Sequence, residues 1–237
     1  MTRRTREEQL AEAFVSLADT LVADYDVVEL LHTLVVRSAE ILGVADAGIL
    51  LPADDGNLEV IASTSERSHL IGLLQLSSGE GPCVDAYATG HQVSVDDIAA
   101  TSLRWPRFAA RAGSLGYRSM YALPMRLRDR TIGSLNLFSD ELGPADPRDM
   151  AAAQALADVA TIGILQERAL READVARDQL QHALNSRVII EQAKGVIAHT
   201  DGVDMEEAFR LLRARARNSG QMLSIVAHDV VESARRS

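Results

Sequence analysis

Between Pro147 and about Thr200 the chain carries no further proline and only two glycines, Gly163 and Gly195, in a background rich in alanine, leucine, glutamate and arginine. Proline and glycine cost a helix most, and the remaining residue types cost it least. A run of this length and bias folds as a long helix, so the rest of the chain must be organised on either side of it. Along the run Ile162, Ala169, Ala173, Ala176, Leu180 and Ala183 fall near alternating four- and three-residue steps, with Gln166 the polar exception. A short alanine-rich seam of that kind suits a tight parallel helix pair between two subunits, hence a homodimer joined by a coiled coil. An amphipathic helix packed on its own preceding domain accounts equally well for the first half of the run. After Glu172 the density of charge favours a solvated connecting helix.

Upstream, residues 3–22 read as a helix with Leu10, Phe14, Leu17 and Leu21 on one stripe. Residues 27–42 repeat the pattern through Val28, Leu31, Val35 and Ala39 before Gly43 closes it. The texture then changes. Ala47 to Leu51 and Leu58 to Ala62 are short strand-like runs around Asp54-Asp55-Gly56, a hairpin signal. Residues 92–95, 117–124 and 131–138 read as further strands, the last two joined by the polar turn Arg128-Asp129-Arg130. Helical pieces lie near 65–75, 82–89 and 105–115. Helices around a mostly antiparallel sheet make an α+β domain.

Several motifs stand in order through this region. They are Ser78-Gly79-Glu80-Gly81-Pro82-Cys83, Trp105-Pro106-Arg107-Phe108, Leu115-Gly116-Tyr117-Arg118-Ser119-Met120, Leu123-Pro124-Met125 and Ile132-Gly133-Ser134-Leu135-Asn136-Leu137. On them, residues 25–165 resemble a GAF domain. The resemblance implies an antiparallel sheet with flanking helices, serving either as a pocket for an unidentified small-molecule effector or as a dimerising platform. It specifies no cofactor. Some proteins of this fold reduce free methionine sulfoxide using several cysteines; Cys83 is the single cysteine here, so that activity is not expected. Cys83 reads either as a redox-sensing thiol or as a side chain packed behind a proline. Gly79-Glu80-Gly81 reads as a tight turn or as backbone donors for an anion.

The chain has one lysine, Lys194, inside Ser186-Arg187-Val188-Ile189-Ile190-Glu191-Gln192-Ala193-Lys194-Gly195. Steps of four and three place Arg187, Glu191 and Lys194 on one exposed stripe. Ile189, Ala193, Val196 and Ile197, helped by Ile190, form the buried one. Gly195 costs a helix about 1 kcal/mol against alanine, which suits a close approach, by Phe209 rather than by a phosphate. Asp204 and Glu207 form a capping-box pattern that opens a second helix. Phe209, Leu212 and Ala216 face inward there, while Arg210, Arg213 and Arg217 share an adjacent stripe. Asn218-Ser219-Gly220 ends it, and Leu223, Val226, Ala227 and Val230 give a third helix its core face. Residue types alone fit solvated charge ladders on both basic stripes.

This closing block, residues 178–237, resembles the ANTAR domain, a three-helix RNA-binding module of bacterial antiterminators. The resemblance implies nascent-transcript hairpins as partner, with Ser186, Arg187, Gln192, Lys194, Arg210, Arg213 and Arg217 as the candidate RNA-contacting residues. The expected architecture is an α+β GAF-like domain joined by a long helix to an all-α three-helix bundle. Its boundaries are an N-terminal helix over 1–24, the sensor over 25–165, a connecting coiled-coil helix over 166–177 and the bundle over 178–237. A protein-binding signalling scaffold and a DNA-binding regulator are the alternatives; no helix is densely basic, which disfavours DNA.

Charge supports the division. The net charge of −10 belongs entirely to residues 1–177, since residues 178–237 hold eight basic and eight acidic groups. A neutral module still binds nucleic acid where its bases share one face. The six histidines are scattered, one cysteine supports no disulfide or thiolate cluster, and no nucleophile elbow or P-loop occurs, so neither metal nor catalysis is expected. Receiver-type phosphorelay needs a lysine near its aspartate, and the only lysine lies in the closing block. No apolar run approaches the roughly 20 residues of a spanning helix, and a cytoplasmic location is expected.

Overall fold

The computed structural model describes residues 5–20, 27–53 and 55–235; Leu21, Asp54 and Arg236, and the side chain of Leu17, lie outside the described residues. The chain forms two compact units, Met1–Glu167 and Arg168–Ser237.

The first unit opens with helices α1 (Arg6–Thr20) and α2 (Val27–Leu42), the second closed by Gly43 at φ +64°. Strands β1 (Asp46–Pro52), β2 (Leu58–Ser63), β3 (Val93–Val95), β4 (Ser119–Leu127) and β5 (Arg130–Ser139) make a five-stranded sheet ordered β2-β1-β5-β4-β3. Every neighbouring pair is antiparallel. Helices α3 (Glu66–Ser78), α4 (Pro82–Thr89) and α5 (Pro106–Ser114) lie between β2 and β4 in sequence.

The sheet is covered on both faces, so β1, β4 and β5 are buried at nearly every position rather than at alternate ones. Ala47, Ile49, Leu51, Leu123, Leu135 and Leu137 pack against Leu30, Leu31, Leu34 and Val35 of α2. Burying each leucine, isoleucine or valine among them stabilises the fold by about 1.5–3 kcal/mol. The opposite face sends Leu50, Met120, Ala122 and Phe138 into a layer with Ile71, Ala86, Trp105 and Phe108. Pro124 sits in β4 opposite Ser134 of β5 and beyond the reach of β3, which pairs only with Met120 to Ala122, so its missing N–H costs the β3 side no ladder bond. Gly133 is required where β5 meets β1: a Cβ there would collide with the Leu50 carbonyl. The expected strand start at Tyr117 moves to Ser119, because the Tyr117 N–H donates to the Ala112 carbonyl and finishes the turn out of α5 (3.1 Å).

Helix α6 (Pro147–Asp201) is a single element of 55 residues. Its first part packs on the first unit's core through Met150, Ala153, Leu156, Ala157, Ala160 and Ile164. That stripe differs from the alanine seam, whose first member Ile162 stays 47% exposed. Ala169, Ala173, Ala176, Leu180 and Ala183 are exposed as well.

In the second unit the end of α6 meets α7 (Met205–Ser219) and α8 (Leu223–Arg235). Ala193 and Ile197, Ala208, Leu212 and Ala216, and Val226, Ala227 and Val231 form its core. Two expectations change. Ala208, not Phe209, shares the core stripe with Leu212 and Ala216, because it stands at the four-residue spacing that stacks side chains on one helix face. On α8, Val231 is buried where Val230 was expected to lead. Asp204 caps α7 by accepting from the Glu207 N–H at 2.8 Å. The return arm of the capping box does not form, since the Glu207 carboxylate pairs with Arg210 instead.

Candidate nucleic-acid interface and sensor core

Side chains of α7 carry the strongest cluster of positive charge in the closing unit. Arg210, Arg213 and Arg217 recur at three- and four-residue steps and line one open cleft of about 480 Å³ with Phe209, Asp204, Glu206 and Glu207. Arg210 is held by Glu207, and each shifts the other's titration in the stabilising direction through that hydrogen bond. Arg213 and Arg217 have no carboxylate partner among the described residues. Arg213 instead lies over the Phe209 ring, 5.7 Å from its centroid.

Lys194 is not on an exposed stripe. Its side chain is only 17% exposed. The ammonium donates to both oxygens of Glu191 at 2.9 Å and sits 5.5 Å from the Phe209 centroid. The long stem is covered while the charged end stays paired. Arg187 is exposed one helical repeat earlier on the same side. Ser186 is half-buried and Gln192 exposed. Gln192 is two residues from Lys194 and therefore about 160° away around α6. The structure thus brings Arg210, Arg213 and Arg217 together and sets Lys194 against the same ring, but does not gather Ser186, Arg187 and Gln192 into that cleft. Gly195 is exposed and meets no atom within 4 Å of where a Cβ would stand, so Phe209 makes no close approach there.

The sensor unit contains a network that periodicity does not reveal. Asp46, at the start of β1, is buried and accepts from the Tyr117 hydroxyl at 2.6 Å, from Arg67 Nη2 at 2.7 Å and from Thr64 Oγ1 at 3.0 Å. Arg67 also donates to the Leu115 carbonyl and lies 4.8 Å from the Tyr117 ring centroid. Burial pushes the Asp46 carboxyl up, but hydrogen bonds from Ser65, Tyr117 and Thr64, with the Arg67 charge, outweigh it and hold the group below its ordinary value. Burial and the bond to Asp46 push the Tyr117 hydroxyl well above its own.

Cys83 is fully buried and clamped by Gln75. Its N–H donates to Gln75 Oε1 at 3.0 Å, and Gln75 Nε2 donates to Sγ at 2.8 Å. Burial raises the thiol far above its usual range, only partly offset by Gln75, so it stays protonated and a poor nucleophile. The geometry is that of a packed residue. Gly79 ends α3 and Gly81 opens α4, both at positive φ, and Glu80 between them accepts from the Arg107 N–H at 2.8 Å. That is a structural turn.

A doubly covered antiparallel sheet is thus followed by a long helix and a small bundle with an arginine-lined cleft. The GAF domain family model matches residues 24–165 and the ANTAR domain model residues 178–231. The chain belongs to the GAF domain family and carries an ANTAR domain at its end. Among solved structures it is similar to the GAF domain of an Acinetobacter phosphoenolpyruvate-protein phosphotransferase, at 18% identity and TM-score 0.56, over 71% of this chain and 97% of that one. It is also similar to a Neisseria meningitidis free methionine-R-sulfoxide reductase in complex with its substrate, at 21% identity and TM-score 0.55, over 72% and 96%. A phycoerythrobilin-bound GAF domain from a cyanobacterial phytochrome matches at 16% identity and TM-score 0.54, over 72% and 100%. At these identities the likeness establishes the fold. No curated protein matches the chain. Among the described residues no helix is long and apolar enough to cross a membrane, and no group of side chains is placed to hold a metal.

Proposed function

We propose that this protein is an RNA-binding transcription antitermination regulator of the cytoplasm. Residues 25–165, preceded by α1, sense a small-molecule effector. Residues 166–177 connect, and residues 178–237 hold a two-hairpin RNA in the nascent transcript that competes with a terminator. The observation that carries this reading is the α7 cleft, where Arg213 and Arg217 stand without carboxylate partners beside Arg210. Surface arginines left unpaired on one face, in a module of zero net charge, are the electrostatic footprint of a polyanion site. Ser186, Arg187 and Lys194 extend the proposed contact surface along α6, while Gln192 stands on the other side of that helix.

The exposed seam Ile162, Ala169, Ala173, Ala176, Leu180 and Ala183 supports a parallel homodimer. Sedimentation equilibrium at tens of micromolar is expected to give twice the 25.6 kDa chain mass, and the chain mass alone refutes the dimer. The functional test is a filter-binding titration of the full chain on two-hairpin RNA beside duplex DNA of matched sequence. Preference for the RNA supports the reading. Equal affinity for both, or none for either, defeats it in favour of a DNA-binding regulator or a protein scaffold respectively.

A further inference from the structure

Phe209 is the only phenylalanine, tyrosine or tryptophan in residues 168–237, yet the bundle does not use it as core. Alanine, leucine, isoleucine and valine fill that core, while the ring of Phe209 stays half-buried on the wall of the arginine cleft. Two cations face it, Lys194 at 5.5 Å and Arg213 at 5.7 Å from the centroid. The two are held differently. Lys194 is largely covered and tied to Glu191. Arg213 is exposed, and among the described residues the ring is its one side-chain partner, which leaves it able to swing aside on its own helix.

The geometry points to Phe209 as a stacking platform for one unpaired base of the bound RNA, with Arg213 and Arg217 taking the phosphates beside that base. The inference rests on the RNA-binding reading above and specifies how the RNA is held. An aromatic face gives a base stacking surface whatever its identity, and single-stranded loops, unlike stems, offer an unstacked base to it. Arginine released from the ring exchanges a cation–π contact for a phosphate, which favours it at a polyanion site. The acidic residues of the cleft set the direction of the strand. Asp204 caps α7, Glu207 is occupied by Arg210, and Glu206 stands with them at the N-terminal end. Phosphates are therefore expected toward the Arg213–Arg217 end.

The test uses the full chain and a two-hairpin RNA carrying 2-aminopurine at each loop position in turn, beside an RNA whose stems are joined into one loop-free duplex. Binding of the unaltered chain is expected to quench the fluorescence at one loop position and to leave the duplex weakly bound. Phe209→Leu keeps an apolar side chain but removes the π-face; it is expected to lose the quenching and to bind roughly 5- to 150-fold more weakly. Phe209→Trp is expected to restore both. The proposal is overturned if the unaltered chain binds the two-hairpin RNA without quenching at any loop position, a result that needs no variant to fold. It is equally overturned if Phe209→Leu, folded by its melting curve, binds with unchanged affinity. Failure of the unaltered chain to bind either RNA removes the RNA-binding reading itself, a result distinct from these.

Discussion

Arg67 of the sensor unit and Arg213 of the closing unit both lie over an aromatic ring, 4.8 Å from Tyr117 and 5.7 Å from Phe209. Around Arg67 the contact is one of several: Asp46 pairs with it, the Leu115 carbonyl accepts from it, and Asp140 lies at 3.8 Å. Around Arg213 the ring is the one side-chain partner among the described residues. The same residue type on the same kind of platform thus does two jobs. Anchored from several sides, a guanidinium joins α3, β1 and the segment before β4; anchored from one, it is available to a ligand. The number of independent partners is what sets the two arginines apart.

That contrast breaks if Asp46 proves dispensable. Asp46→Ala leaves the buried Tyr117 hydroxyl and the Arg67 charge without their shared acceptor, and is expected to destabilise the sensor unit by roughly 2–4 kcal/mol. Denaturant unfolding measures it, and a loss under about 0.5 kcal/mol would mean the network is not a cross-link. The pH dependence sharpens the point. Asp46 is held below its ordinary value of 3.8 in the folded chain, so the unfolded chain takes the proton first as pH falls. Its stabilisation is complete above that value and is lost as pH falls below it and on through the lower folded value. Asp46→Asn is expected to flatten the stability curve in that acid window and nowhere else.

Replacing Arg213 and Arg217 together by glutamine is expected to act on RNA alone. The logarithmic salt dependence of binding should fall by about 1.4, at roughly 0.7 per phosphate for single strands, with unfolding free energy within about 0.5 kcal/mol of the parent. A stability loss with intact RNA affinity would reverse the assignment of roles. Lys194→Gln probes the middle case. Covered by the bundle and paired with Glu191, Lys194 is expected to contribute both ways, with a few tenths of a kcal/mol of stability lost on substitution and a salt slope lowered by at most about 0.7.

Local chemistry carried most of the fold. The α2 and α4 spans, Val27–Leu42 and Pro82–Thr89, follow directly from apolar spacing, from proline at a helix start and from glycine at a helix end. The 55 residues of α6 follow from the absence of breakers. What periodicity could not supply was partnership across long separations. Asp46 and Tyr117 lie 71 residues apart, and nothing in the spacing of either marks them as partners. On α7 the arginine row was legible, but the largest apolar residue drew the core assignment away from the small Ala208. Lys194 was read from its helical step alone, and a flexible stem can leave the direction that step implies.

Cys83 has one more consequence. The chain has a single thiol, and it is fully buried in the first turn of α4 with its amide and sulfur both held by Gln75. An alkylating reagent can reach it only when the α3–α4 layer lifts from the sheet, so its modification rate counts those openings. The protein therefore carries its own clock for the breathing of the sensor domain, readable by mass without any added label. An effector that settles into that domain is expected to slow the clock by the free energy with which it binds the closed form.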